Sequence, residues 1–323
     1  KRTTINTDGW EEVTIDIEEG THSLAWEFEL FGLSDDTGWV DHVRFIPDTF
    51  TLAAALDYEN AVWTTQDVIG WNPQNAVYLF GFDAAQSGAI GHNGLSFLEG
   101  TVRGPAMVSF DWKTSSEKDE DILEFQLNGY GQENISGETS WQTRHYHITE
   151  GQHKLGWYYM KNASVSSGLD CGWVDHVRVE MDPPIGQVVD NETFIWDTGG
   201  SEPWYGQGLV SHDGVDCAQS GGVDHHQDSY MATQITGPGT LTFYWKSSCE
   251  GGNDWLSFEV DDVLVERISG LVDWHQYTAY IQPGTHEAKW IYSKNQSFSD
   301  YEDAGWVDQI AFTPGDVPTP TPI

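Results

Sequence analysis

The hexapeptide Gly172-Trp173-Val174-Asp175-His176-Val177 decides the fold, because the chain spells it more than once. It stands earlier as Gly38-Trp39-Val40-Asp41-His42-Val43 and later, altered at its end, as Gly305-Trp306-Val307-Asp308-Gln309-Ile310. Trp173 and Trp306 are about 133 residues apart, and a fixed period of this kind is the signature of tandem modules. The same offset carries Asp57 onto Asp190, Trp71 onto Trp204, Asp83 onto Asp216, Trp112 onto Trp245 and Trp157 onto Trp290. Residues 48–182 and 183–316 therefore read as two complete copies of one module.

The first stretch, 1–47, matches only the C-terminal half of a module, with Trp10, Gly20, His22 and Trp26 answering to Trp141, Gly151, His153 and Trp157. It is expected to be a truncated copy, or one completed by another chain. The tail 317–323, Val-Pro-Thr-Pro-Thr-Pro-Ile, has no apolar periodicity and reads as an extended linker.

Within a module the pattern alternates with period two, as half-buried strands do. Val108, Phe110 and Trp112 alternate with Ser109 and Asp111, and Leu123, Phe125 and Leu127 with Glu124 and Gln126, ending at the turn pair Asn128-Gly129. Turn signals recur every eight to twelve residues or so, and no window carries a helical stripe. The expected class is all-β: tandem antiparallel β-sandwiches of jelly-roll type.

The motif order is a D-x-A-x-S-G stretch (Asp83 to Gly88, Asp216 to Gly221), then Gly-Pro with an F-x-W-K strand, I-S-G, G-x-H-x-x-x-W and a closing G-W-V-D. It resembles the repeated modules of large bacterial surface and secreted proteins that are similar to the MAM and cleaved-adhesin jelly rolls. The resemblance implies a two-sheet jelly roll, a cell-surface or matrix location, adhesive or scaffolding work without catalysis, and bound calcium.

Composition narrows the partners. Lys and Arg number 14 against 51 Asp and Glu, a net charge of −37. Phosphate binding needs clustered basic residues, so nucleic acid is excluded as a partner, and an anionic membrane surface is disfavoured. No apolar run approaches the length of a bilayer span, so no membrane insertion is expected. Sixteen Trp and 13% aromatic residues argue for a packed core rather than disorder.

Period two places Trp173, Asp175, Val177 and Val179 on one face, and the later copy repeats this with Trp306, Asp308, Ile310 and Phe312. An inward carboxylate is costly unless it accepts backbone N–H groups, pairs with a base or binds a metal. His153 and His286, with His22 in the half module, are the candidate bases. The acids recurring at the module offset include Asp57, Asp83, Glu117, Asp121, Asp170 and Asp175. The candidate calcium ligands are Asp57, Asp83 and Asp175, with Asp190, Asp216 and Asp308 in the second copy, since calcium gathers six to eight oxygens.

Cys217 and Cys249 replace Ala84 and Ser116 in one copy only, which fits a local disulfide in an oxidising setting and leaves Cys171 over. Sequons stand at Asn134, Asn162, Asn191 and Asn295, with Asn162 and Asn295 at equivalent loop positions expected to be exposed. The His225-His226 doublet with Asp224 and Asp228 has a donor set that suits a transition metal, but the first copy offers only His92 there, so it reads as a loop accident.

No nucleophile elbow, H-E-x-x-H or P-loop occurs, and the chain reads as non-enzymatic. The leading expectation is an extracellular structural or adhesive repeat of a large surface or filament-forming protein, partnered by neighbouring modules or copies of itself. The alternative is a pair of carbohydrate-binding modules of a secreted hydrolase, with Trp71, Trp204 and Trp255 as stacking platforms for extracellular glycans.

Overall fold

The computed structural model describes residues 9–15, 17, 21–28, 37–41, 43, 51–296, 298–299 and 301–316. The chain divides into two compact units, Lys1–Asp48 and Thr49–Ile323. In the first unit the described residues form neither helix nor strand, and Trp10, Trp26 and Trp39 are exposed. Gly20, His42 and the linker 317–323, all named in the sequence reading, lie outside the described residues.

The second unit holds two matched sets of elements. The first runs α1 (Leu52–Ala55), β1 (Thr64–Thr65), β2 (Asn72–Gln74), β3 (Ala84–Gln86), β4 (Leu95–Ser115), β5 (Ile122–Leu127), β6 (Tyr130–Ser136), β7 (Gln142–Met160) and β8 (Cys171–Met181). The second repeats it as α2 (Ile185–Val188), β9 (Trp196–Gly200), β10 (Tyr205–Gln207), β11 (Cys217–Gln219), β12 (Asp228–Ser248), β13 (Trp255–Val260), β14 (Val263–Ile268), β15 (Val272–Ser293) and β16 (Ala304–Pro314). The ladder orders are β2-β3-β8-β4-β7-β5-β6 and β10-β11-β16-β12-β15-β13-β14, with β1 added on β4 and β9 on β12. Every pairing is antiparallel.

Each ladder folds over on itself. Strand β4 pairs with β7 from Leu95↔Met160 to Trp112↔Gln142, and the register shifts between Gly104 and Ala106. Gly104 faces Gly151, whose φ is +121°, and a Cβ on Gly104 would come within 2.1 Å of the Thr149 carbonyl oxygen. A side chain is barred sterically at Gly104 and disfavoured by the backbone conformation at Gly151, so the ribbon can turn sharply here. The first half of β4 joins β1, the second half of β7, β5 and β6 in one layer. Its second half joins β8, β3, β2 and the first half of β7 in the other.

The layers meet through aromatic rings. Phe110 from one layer lies 4.7 Å from Phe125 and 5.1 Å from Trp157 of the other. Phe243 meets Phe258 at 5.0 Å and Trp290 at 5.1 Å in the second copy. The alternation read from the sequence is thus a two-layer antiparallel sandwich, with Trp112, Trp157, Trp245 and Trp290 in its cores.

One strand departs from the simple alternation. His176 and Gln309 hold φ of +53° and +50°, and the β4–β8 and β12–β16 registers slip beside them. A bulge reverses the facing of every residue beyond it. Val174 therefore faces the core before it and Val177 and Val179 after it, whereas Trp173 packs elsewhere. In the second copy Trp306 joins a separate cluster with Cys217, while Val307, Ile310 and Phe312 fill the main core. Asp175 and Asp308 consequently do not share the core face with Val177 and Ile310. They lie on the outer face of their layer and are nonetheless completely buried, because a loop covers them.

Candidate functional site

The covering loop, the end of the short helix and the bulge bring three carboxylates together. Thr51 caps α1, its Oγ1 accepting from the Ala54 amide at 3.1 Å. The helix ends at Leu56, whose carbonyl accepts from the Val177 amide at 2.8 Å and so ties the helix to β8 just past the bulge. Asp57 follows in the left-handed region, φ +56°. Asp83 and Asp57 each bring an Oδ1 to 3.0–3.1 Å from the point where a Gly81 side chain would begin.

Asp175 reaches the same loop from beneath. Its Oδ2 accepts from the Leu79 and Phe80 amides at 2.7 and 2.9 Å, while its Oδ1 is buried without a partner. The Asp57 and Asp175 carboxyls lie close enough to influence each other's ionisation.

The second copy reproduces the arrangement. Asp190 holds φ +59° after α2, the Val189 carbonyl accepts from Ile310 at 2.8 Å, and Asp308 Oδ2 accepts from the His212 and Asp213 amides at 2.7 and 3.3 Å. Asp308 Oδ1 is again buried and unpartnered. Asp213, which replaces Phe80, adds a fourth acid near Asp216 and Asp308. Among the described residues no Lys or Arg forms an ion pair with any of the six predicted aspartates.

Electrostatics follow from this crowding. Burial pushes the Asp175 carboxyl up to about 7, against the pull of the Phe80 and Leu79 amides and with a further push from Asp57. Burial raises Asp57 as well, the His176 imidazole opposing it, and raises Asp83 together with the Asp57 charge. Asp308 and Asp216 are raised by burial and by their acidic neighbours. These groups would give up protons to a divalent ion. Among the described residues no group of three or more His, Cys, Asp or Glu side chains is placed so that it could hold a metal ion by itself. A calcium ion here would complete its shell with backbone carbonyls and water, as hard cations do.

Two of the other recurring acids, Asp121 and Asp170, serve a base instead. Lys161, at the end of β7, is buried; its amino group contacts Asp170 and Ser166 and lies 3.7 Å from Asp121. Lys294 repeats this with Asp303 and Ser299, and Asp254 holds the Asn295 amide as Asp121 holds that of Asn162.

Several expected roles are not met. His153 binds the Thr149 carbonyl and Asn128, and His286 pairs with Asp261 at 2.7 Å, so neither neutralises the buried aspartates. His22 is exposed. Trp71 and Trp204 are 2% and 3% exposed, fill the core beside the short helices and offer no ring to a glycan. Trp255 is half-buried with the Arg267 guanidinium 3.7 Å from its ring centre. Asn162 and Asn295 are half-buried rather than exposed, and the Asn191 amide donates to the Ile310 carbonyl; Asn134 is exposed.

Cys217 and Cys249 are not bonded to each other: all three cysteines are free and buried. Cys217 lies in the outer cluster under Trp306, its Sγ 2.9 Å from both Gln207 Nε2 and the Val210 carbonyl, while Cys249 sits in the main core. The β-sheet separates the two sulfurs. Burial pushes the Cys171 thiol up to about 12 and raises the other two, so the thiols are unreactive. A thiol reagent is expected to find none of the three in the native chain and all three in denaturant. Fewer than three in denaturant without reductant would mean a disulfide after all.

The modules meet at His147. Its ring stacks on Tyr205 of the second copy at 3.6 Å, and its Nε2 lies 2.8 Å from Asp182 at the end of the first copy. Beside this joint opens a cleft of about 430 Å³, lined among others by His145, His153, Glu202, Tyr205 and Glu302.

Compared with protein-family profiles and with curated sequences, the chain matches none. Solved structures give distant matches. A secreted serine protease, VesC from Vibrio cholerae, matches at 12% identity and TM-score 0.32 over 76% of this chain and 51% of that one. The chain thus spans about half the length of that protease. The tandem CBM22 modules of Paenibacillus barcinonensis Xyn10C match at 14% identity and TM-score 0.29, over 78% and 93%. Tandem CBM51 modules of a Streptococcus pneumoniae family 98 glycoside hydrolase match at 10% and 0.23, over 72% and 84%. At these scores the likeness decides neither ligand nor activity.

Proposed function

We propose that the chain is a non-catalytic extracellular structural or adhesive repeat of a large surface or filament-forming protein, with a calcium ion locking the covering loop of each module. The observation that carries this reading is the buried, unpartnered Oδ1 of Asp175, against Asp57 and beside Asp83, reproduced at Asp308 with Asp190 and Asp216. A device repeated at the same module positions serves the module, and here it pins a loop onto a sandwich face. The partners are neighbouring modules or further copies of the chain, in keeping with the stacked joint at His147 and Tyr205.

Thermal unfolding of the chain in millimolar calcium and in excess EDTA tests the proposal. A ligand at 100 times its Kd stabilises by about 2.7 kcal/mol. In a unit of this size that is worth a rise of several degrees. Coincident melts in calcium and EDTA would overturn the metal site.

A second reading, carbohydrate binding, is favoured by the cleft at the joint, whose His, Tyr and Glu side chains suit sugar hydroxyls. Binding on a glycan array that is lost in Tyr205→Ala would establish it, and a silent array would dismiss it.

A further inference from the structure

In each module a buried lysine is enclosed by more carboxylate oxygen than it can neutralise. The side chain of Lys161 is 1% exposed and that of Asp121 fully buried, with Asp170 at a quarter exposure on the outer side. Asp121 Oδ2, Asp170 Oδ1 and the Tyr159 hydroxyl are all buried without hydrogen-bond partners. The second copy leaves the same atoms unpartnered on Asp254, Asp303 and Tyr292, and Lys294 pairs there with Asp303. Burying an ion pair beside a further unmatched carboxylate is costly, because desolvation exceeds what one amino group returns.

We infer that Lys161 and Asp170, and likewise Lys294 and Asp303, condense to intramolecular amide cross-links, with Asp121 and Asp254 carrying the proton. The step is self-contained. The ammonium passes one proton to the Asp170 carboxylate, leaving an amine and an acid. The lysine Nζ attacks Asp170 Cγ; as the C–N bond forms, Asp121 takes a second proton from nitrogen and delivers it to the hydroxyl, which departs as water. Asp121 ends unchanged. The partial exposure of Asp170 and Asp303 gives the water an exit.

Condensation removes two of three charges from the site and creates an amide N–H, the donor that Asp121 Oδ2 lacks. The product closes the loop between β7 and β8 covalently in a chain whose thiols are unpaired.

The test is the intact mass of the purified chain, followed by trypsin digestion in denaturant. The chain is expected to be lighter than its sequence by two waters, with no cleavage after Lys161 or Lys294. The variant Asp121→Asn should regain one water and cleavage after Lys161 alone, with cleavage after Lys294 still blocked. A mass equal to the sequence overturns the inference. So does a mass lowered by two waters with both lysines still cleaved, since the loss then lies elsewhere. The wild-type mass decides even if the variant fails to fold, and it does so independently of any calcium effect.

Discussion

Trp157→Ala is expected to unfold the first sandwich at temperatures where the second survives. Trp157 is fully buried and stacks at 5.1 Å edge-on to Phe110, at 5.3 Å to Phe125 and at 5.9 Å to Trp63, so it touches both layers at once. Truncating a buried Trp costs about 3–5 kcal/mol, the spread reflecting how far the site collapses. At roughly 2–4 °C per kcal/mol for a unit of this size, that is a fall of about ten degrees. Calorimetry should show one early transition and one near the parent temperature. The equivalent Trp290→Ala should move the other. A single shifted transition in both variants would show that the two sandwiches unfold as one.

Asp175→Asn is expected to act in opposite directions with and without calcium. In EDTA the folded chain holds the Asp175 proton up to about 7, while an unfolded aspartate releases it near 3.8. The folded state thus binds more protons in that window, so stability falls as pH rises from about 4 to about 7 and is flat above. The loss is a few kcal/mol at pH 8, at 1.36 kcal/mol per unit. The asparagine variant carries no such loss, so in EDTA at pH 8 it should melt above the parent, and its pH slope should be shallower by the Asp175 share, the other raised aspartates keeping theirs. With calcium the order reverses, because the parent gains the ion and the variant does not. Melts at pH 5 and pH 8, with calcium and with EDTA, give the whole pattern. A variant that still responds fully to calcium would remove Asp175 from the ligand set.

The period and the alternation made the sandwich legible, since both report directly which side chains are buried. The six aspartates were legible for a related reason: an acid held at matching positions in two copies has a partner to meet. The facing of Asp175 was not legible. It depends on a bulge whose reversed residue is His176 in one copy and Gln309 in the other, and neither signals a positive φ as glycine would. Trp71 and Trp204 misled because they precede short edge strands and look like loop residues, yet they fill the core beside the short helices. The lysine sites leave a trace in the sequence as well. Lys161 and Lys294 stand at the module offset in a chain with only 14 basic residues, and two acids recur around each.

The matched glycine crossings also bear on how the chain reaches its native state. Gly237 faces Gly284 in β12 and β15 as Gly104 faces Gly151 in β4 and β7. In backbone terms, then, β4 could zip onto β15 as readily as onto its own partner. Only side-chain fit at each crossing separates correct assembly from a hairpin exchanged between neighbours, a characteristic hazard of tandem repeats. Synthesis from the N-terminus lessens it, because the first copy can close before the second has been made. Refolding of the whole chain from denaturant removes that protection.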